Sequence, residues 1–265
     1  MASSPPKLVS QLDLRRAEER KHTALEWLSS RHSFSFGRHY DPANTHFGLL
    51  LVNNDDVVQP GMGFETHPHR DMEIVTWVLD GSLVHEDSQG NTGVIYPGLA
   101  QRMSAGTGIT HSEKNDFWRM DDEPHDQDVH FVQMWIPPDT RSIDPSYEQL
   151  DINSELGPVD AGSGELVVVA SGMDAHRDCR AIFIRQRHAA LHAARLQPGA
   201  SVALPAAAFM HLFVARGAVE LEGTAPLLNT GDAVRLTAAG PQRVTAAPTG
   251  AEILVWEMTA ALTTA

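Results

Sequence analysis

Cysteine is almost missing from this 265-residue chain: Cys179 stands alone, so no disulfide can close within it. That usage suits a reducing compartment, and Cys179 reads as a packing thiol in a cytoplasmic protein. Long basic runs are missing too. The chain carries 20 Lys and Arg against 34 Asp and Glu, a formal charge of −14, which argues against nucleic acid or an anionic membrane surface as a direct partner. No apolar stretch approaches the roughly 20 residues of a membrane helix. Residues 1–6 lack the basic-then-apolar order of a signal peptide, so none is expected. What remains, 42% hydrophobic and 20% charged, is the composition of an ordinary globular protein with enough chain for one large β domain or two smaller ones.

Turn signals recur at short, regular intervals. Residues 73–79 (EIVTWVL) are β-branched and aromatic, and Asp80-Gly81 marks a hairpin before a return strand at 82–86. Further strands are expected at 33–36, where Ser and Phe alternate, at 47–52, 101–104, 109–113 and 129–136. Asn53-Asn54-Asp55-Asp56 reads as the end of one of them. Residues 12–14 read as a short strand running into a loop. Such spacing argues for an all-β barrel or sandwich.

Pro137-Pro138 opens a change of texture, and 138–164, rich in Pro, Asp, Ser and Gly, reads as a linker. Strands resume after it. The second half can be laid on the first, HLFVARGAV (211–219) on VTWVLDGSL (75–83), with Gly217 joined to Gly81 and Thr230-Gly231 to Pro97-Gly98. In that register His67 and His69 fall opposite Ala203 and Pro205, while His111 and Glu113 fall opposite Val244 and Ala246. The expected organisation is therefore residues 1–137 as a ligand-bearing barrel, 138–164 as linker, and 165–265 as a worn copy without ligands at those positions.

Two triplets, His67-Pro68-His69 and His111-Ser112-Glu113, carry the chemistry. In a strand, residues i and i+2 point to the same face, so each triplet offers two metal-capable side chains to one side. Two such strands in one barrel converge three imidazoles and a carboxylate on one ion. That donor set suits a borderline divalent metal and leaves positions open for substrate. Glu73 complicates the set: an unbroken strand from His67 would bring it to the same face, and otherwise it is a buried carboxylate bonding a loop or a second histidine. The other histidines read as surface, hydrogen-bonding or packing residues.

Gly61-x5-His67-x-His69-x3-Glu73 is similar to the first cupin motif, and Gly108-x2-His111-x3-Asn115 to the end of the second. Gly81 comes one residue late, and a glycine, Gly106, stands where a proline is usual. The fuller strings THPHRDMEIVTWVLDGSLVHEDSQGN, MSAGTGITHSE and FSFGRHYDPAN resemble the pirin family. The resemblance implies two tandem cupin (jelly-roll-like) β-barrels, a bicupin, with the metal in the first barrel. It places the ligands on His67, His69, His111 and Glu113, and leaves Glu73 out. It implies one divalent ion, iron(II) first, with zinc, manganese, nickel, cobalt or copper as alternatives. It further implies a quercetin 2,3-dioxygenase-like reaction on a phenolic substrate with O2, in which Glu113 also accepts the substrate proton, or else a metal-binding module for a regulatory protein partner. A monomer is expected. Met62, Phe64, Met103 and Phe131 are the expected walls of a phenol pocket, and 120–128 (MDDEPHDQD) is an acidic patch near it.

Overall fold

The protein, seen in a computed structural model, is described over residues 9–116, 126–158, 162–224 and 226–262. Its first half holds β1 (Gln11–Arg15), β2 (Lys21–Ala24), β3 (Leu28–His32), β4 (Val52–Val58), β5 (Gly63–His69), β6 (Glu73–Asp80), β7 (Leu83–Asp87), β8 (Thr92–Ile95), β9 (Leu99–Ser104), β10 (Ile109–Lys114), β11 (Val129–Ile136) and β12 (Ser146–Asp151). The second half holds β13 (Val167–Ser171), β14 (Ile182–Phe183), β15 (Ala189–Leu196), β16 (Ser201–Leu204), β17 (Phe209–Leu221), β18 (Leu228–Asn229), β19 (Ala233–Thr237) and β20 (Gln242–Met258).

Two β-barrels result, as the turn spacing requires. The first pairs a small sheet, β5-β10-β7-β8, with a larger one, β12-β9-β6-β11-β4-β3-β2. In the second, one continuous sheet bends back on itself. Its long strands β17 and β20 run side by side and slip register between Val214 and Arg216 and between Gly217 and Val219. Bulges of this kind turn a strand from one wall of a barrel into the next.

The barrels pack sheet against sheet. Alternation along β6 and β11 sends Val75, Trp77, Val132 and Met134 outward to meet Leu191, Phe213, Leu254 and Trp256 in one buried cluster. Two polar atoms are satisfied across this seam: Trp77 Nε1 donates to Glu252 Oε1 at 2.7 Å, and Trp256 Nε1 lies 3.2 Å from Met134 Sδ.

Several local expectations give way to tertiary pairing. Residues 11–15, placed with the first barrel by sequence, pair along β19 of the second. The stretch 138–164 is more than a linker, because its β12 pairs along the full length of β9. Asn53 to Asp56 lie in the middle of β4 rather than at a strand end. Their backbone is held by β3 on one side and β11 on the other, and this overrides the turn-like side chains. Ser33 to Phe36 form a loop, since Ser35 Oγ both donates to the Asp41 carbonyl and accepts from its N–H, an alternative to ladder bonding.

The internal repeat holds at its glycines. Gly81 and Gly217 both take left-handed φ, 75° and 69°, and a Cβ on either would collide with backbone, at 2.8 Å from the Asp128 carbonyl and 2.0 Å from that of Gly250. The final strand shifts by two residues, however. His85 pairs with Glu113 and its counterpart Leu221 pairs with Val244, so Val244 answers Glu113 and Gln242 answers His111.

Candidate metal centre

β5 and β10 run antiparallel with His67 opposite His111 and His69 opposite Ile109. Between His111 and Glu113 the register shifts, so that Glu113 faces Phe64. This extra residue in β5 keeps Phe64, His67 and His69 on the face shared by His111 and Glu113. Gly63 lets the bulged strand approach: a Cβ there would lie 2.2 Å from the Glu113 carbonyl oxygen. One ring nitrogen from each of His67, His69 and His111 falls within 4.8 Å of the others, and the ring centroids stand 4.5–4.9 Å apart.

Hydrogen bonding decides which nitrogens are free. His67 Nδ1 lies 2.7 Å from the Glu65 carbonyl, which can only accept, so Nε2 keeps its lone pair. Behind His111 stands His85. Its Nε2 faces the Asp87 carboxylate at 3.3 Å, its Nδ1 therefore accepts from His111 Nδ1 at 3.4 Å, and His111 Nε2 is left free. The Nε2 atoms of His69 and His111 are buried without a partner. Burial, then the neighbouring His111 and His67 rings, pushes His69 down to about 4, and burial followed by His67 and His85 pushes His111 to about 3. Neutral, orphaned imidazoles fit a divalent metal, whose binding satisfies them directly.

Glu113, expected as the fourth ligand, sits inward on β10, 2% exposed, and lines the same cavity, but the structure does not bring its carboxylate into the group of donor atoms that lie within 4.8 Å of one another. Gln133 Nε2 donates to both its oxygens at 2.8 Å each, and Gln133 Oε1 accepts from Trp135 Nε1 at 2.9 Å. Trp135 in turn stands edge-on to His69, centroids 4.8 Å apart. Glu73 lies elsewhere: the strand breaks at residues 70–72, and its buried carboxylate accepts from Ser104 Oγ at 2.9 Å and from the Arg185 N–H at 3.1 Å.

The cavity beside the histidines measures about 750 Å³, a size that suits a small organic ligand. Trp27, Leu28, Phe36, Phe64 and Trp135 form its apolar walls, and β2, β3 and the following loop roof it. Of the four expected wall residues only Phe64 lines it. Met103 and Phe131 are fully buried in the barrel core and Met62 points to solvent, because the bulge and roof open the cavity away from them. Asp56 also lines it, its carboxyl pushed up to about 7 by burial and by Asp55 and Glu113 against a bond from Ser30. The acidic stretch falls, over 120–125, outside the described residues.

Sequence reading missed His85, Asp56, Gln133 and Trp135. One signal was available: in VHFVQMWI a lone amide interrupts an apolar strand, at the parity of Phe131, which packs inside the barrel.

Comparison with known proteins accords with this geometry. Residues 14–136 match the family model described as Pirin, and residues 168–258 match that of the quercetinase C-terminal cupin domain. A putative quercetin 2,3-dioxygenase of Mycobacterium tuberculosis is 56% identical over 255 residues, spanning 96% of this chain and 98% of the relative. This chain belongs to the pirin family. The bicupin architecture of pirins is the one seen here. A quercetin 2,3-dioxygenase of Escherichia coli K12 is 46% identical over 144 residues, 54% of this chain and 59% of its own. The bacterial pirin YhhW of Escherichia coli, solved in complex with nickel(II), superposes with a TM-score of 0.80 at 33% identity, covering 94% of this chain and all of that one. Among the described residues no helix is long and apolar enough to cross a membrane.

Proposed function

We propose that this pirin is a metal-dependent dioxygenase that opens the central ring of a flavonol-like phenol such as quercetin with O2. The observation that carries the reading is the convergence of three imidazoles, two with buried nitrogens lacking any partner, beside an aromatic-lined cavity. His67, His69 and His111 would hold the ion, with Glu113 as fourth ligand and iron(II) as the metal. When bound, such an ion would supply Lewis acidity toward the substrate's hydroxyl.

The chain's own residues do the rest. Trp27, Phe36, Phe64 and Trp135 offer flat apolar surface to a planar phenol and exclude water from it. In this reading Glu113 accepts the hydroxyl proton, a role supported by the two bonds through which Gln133 fixes its carboxylate. In the overall balance ring carbon is oxidised, O2 is reduced, and one carbon leaves as carbon monoxide, so no external reductant enters.

Loading the protein with iron(II) under anaerobic conditions, then adding quercetin and air, should bleach the flavonol absorbance and release carbon monoxide. Absence of turnover with iron, manganese, cobalt and nickel alike would overturn the reading for flavonols.

A further inference from the structure

The second barrel lacks ligands where the first has them, yet a different set of donors meets at its other wall. Alternation along β15 and β20 sends Leu191, Ala193, Leu254 and Trp256 to the seam between barrels, and Ala194, Ile253 and Val255 to the second barrel's own core. His192 and Glu257 share the parity of that inner set and terminate its layer. Over them lies the helical turn Asp174–His176. Gly172 makes this approach possible, since a Cβ there would lie 2.4 Å from the carbonyl oxygens of both Ile184 and Gln186.

We propose that His176, His192 and Glu257 form a second divalent-cation site, for an ion of the zinc(II) class, at one end of the C-terminal barrel. One donor atom from each lies within 4.8 Å of the others. His192 Nε2 is 2.9 Å and His176 Nε2 4.0 Å from the same oxygen, Glu257 Oε2. The two rings stand nearly perpendicular, centroids 5.3 Å apart, so neither blocks the other's approach to a common point. His176 is held in the manner of a ligand: its Nδ1 bonds Ser171 Oγ at 3.0 Å, and that hydroxyl is itself fixed by the Met173 N–H at 3.0 Å. This leaves Nε2 as the nitrogen turned toward Glu257.

Side-chain exposures of 17%, 6% and 13% for His176, His192 and Glu257 leave the cluster largely dry but reachable by an ion. A His192–Glu257 bond alone would need no third partner, whereas two imidazoles and one carboxylate from three separate elements match the donors that zinc takes. This inference stands independently of the first centre.

The test is zinc content per chain after metal-free protein is equilibrated with zinc(II) and desalted. Wild type should retain two ions. His176→Ala and Glu257→Gln should each retain one, and a His69→Ala/His111→Ala variant should also retain one, which adding His176→Ala removes. Glu257→Gln preserves the side chain's shape and its bond to His192, so it guards against a folding failure in the alanine variant. Cobalt(II) gives a second readout: its visible ligand-field bands should weaken in His176→Ala while those of the first centre persist. Wild-type stoichiometry in both His176→Ala and Glu257→Gln overturns the proposal. So does a wild type that binds a single ion and loses it in His69→Ala/His111→Ala.

Discussion

Gln133 donates from one amide nitrogen to both carboxylate oxygens of Glu113, at 2.8 Å each. β11 thus reaches across the barrel to orient a side chain on β10, and through Trp135 it also braces His69. With Glu113 as the fourth ligand proposed above, replacing Gln133 by Leu should weaken metal binding about 10- to 100-fold, the usual effect of losing a partner that orients a ligand. A competition titration against a chelator measures it. Unchanged affinity would mean that Glu113 needs no such support.

His69→Ala and Glu113→Ala should each lower the metal content of purified protein well below one per chain at the first centre. Stripping metal from wild type should lower its thermal stability in step with the free metal concentration, by about 3 kcal/mol relative to a hundredfold excess over Kd. Full metal content in both variants would show that the ligand set is wrong.

Gly63→Ala places a Cβ 2.2 Å from the Glu113 carbonyl oxygen, so β5 and β10 must separate at the bulge. The barrel core does not depend on this contact. We expect a folded protein whose metal affinity falls about tenfold or more, as when outer support for a ligand is lost. Calorimetric titration of the variant with affinity equal to wild type would refute the role given to the bulge.

His211 is fully buried between Arg235 and Phe34, and neither ring nitrogen has a partner. Burial, then Arg235 and Arg20, pushes it down to about 3, far below the ~6.5 of an unfolded chain. The folded protein refuses a proton that the unfolded chain accepts. Stability is thus full above pH 6.5 and declines as pH falls toward 3, with about 2 kcal/mol lost from this group by pH 5. His211→Leu should flatten the decline between pH 6.5 and 5 by that amount in urea unfolding. Parallel curves for variant and wild type would place the acid sensitivity elsewhere.

The sequence by itself determined the β class, the hairpin turn at Gly81 and the face shared within each triplet, because alternation along a strand is a local property with a period of two. His67, His69 and His111 could be grouped on that basis, and Gly81 and Gly217 announced the repeat because only glycine accepts their φ against a neighbouring backbone. Only the tertiary structure decided what lies opposite. The bulge that seats Glu113 against Phe64, the Gln133 clamp, the Asp87–His85 support behind His111, and the exchange of β1 into the second barrel all depend on register between strands far apart in the chain. Register is fixed by long-range pairing and packing. It also turned Asn53 to Asp56, which read as a strand end, into a strand on which Asn54 and Asp56 face the cavity while Asn53 bonds Ser33 and Asp55 pairs with Arg20 and His130.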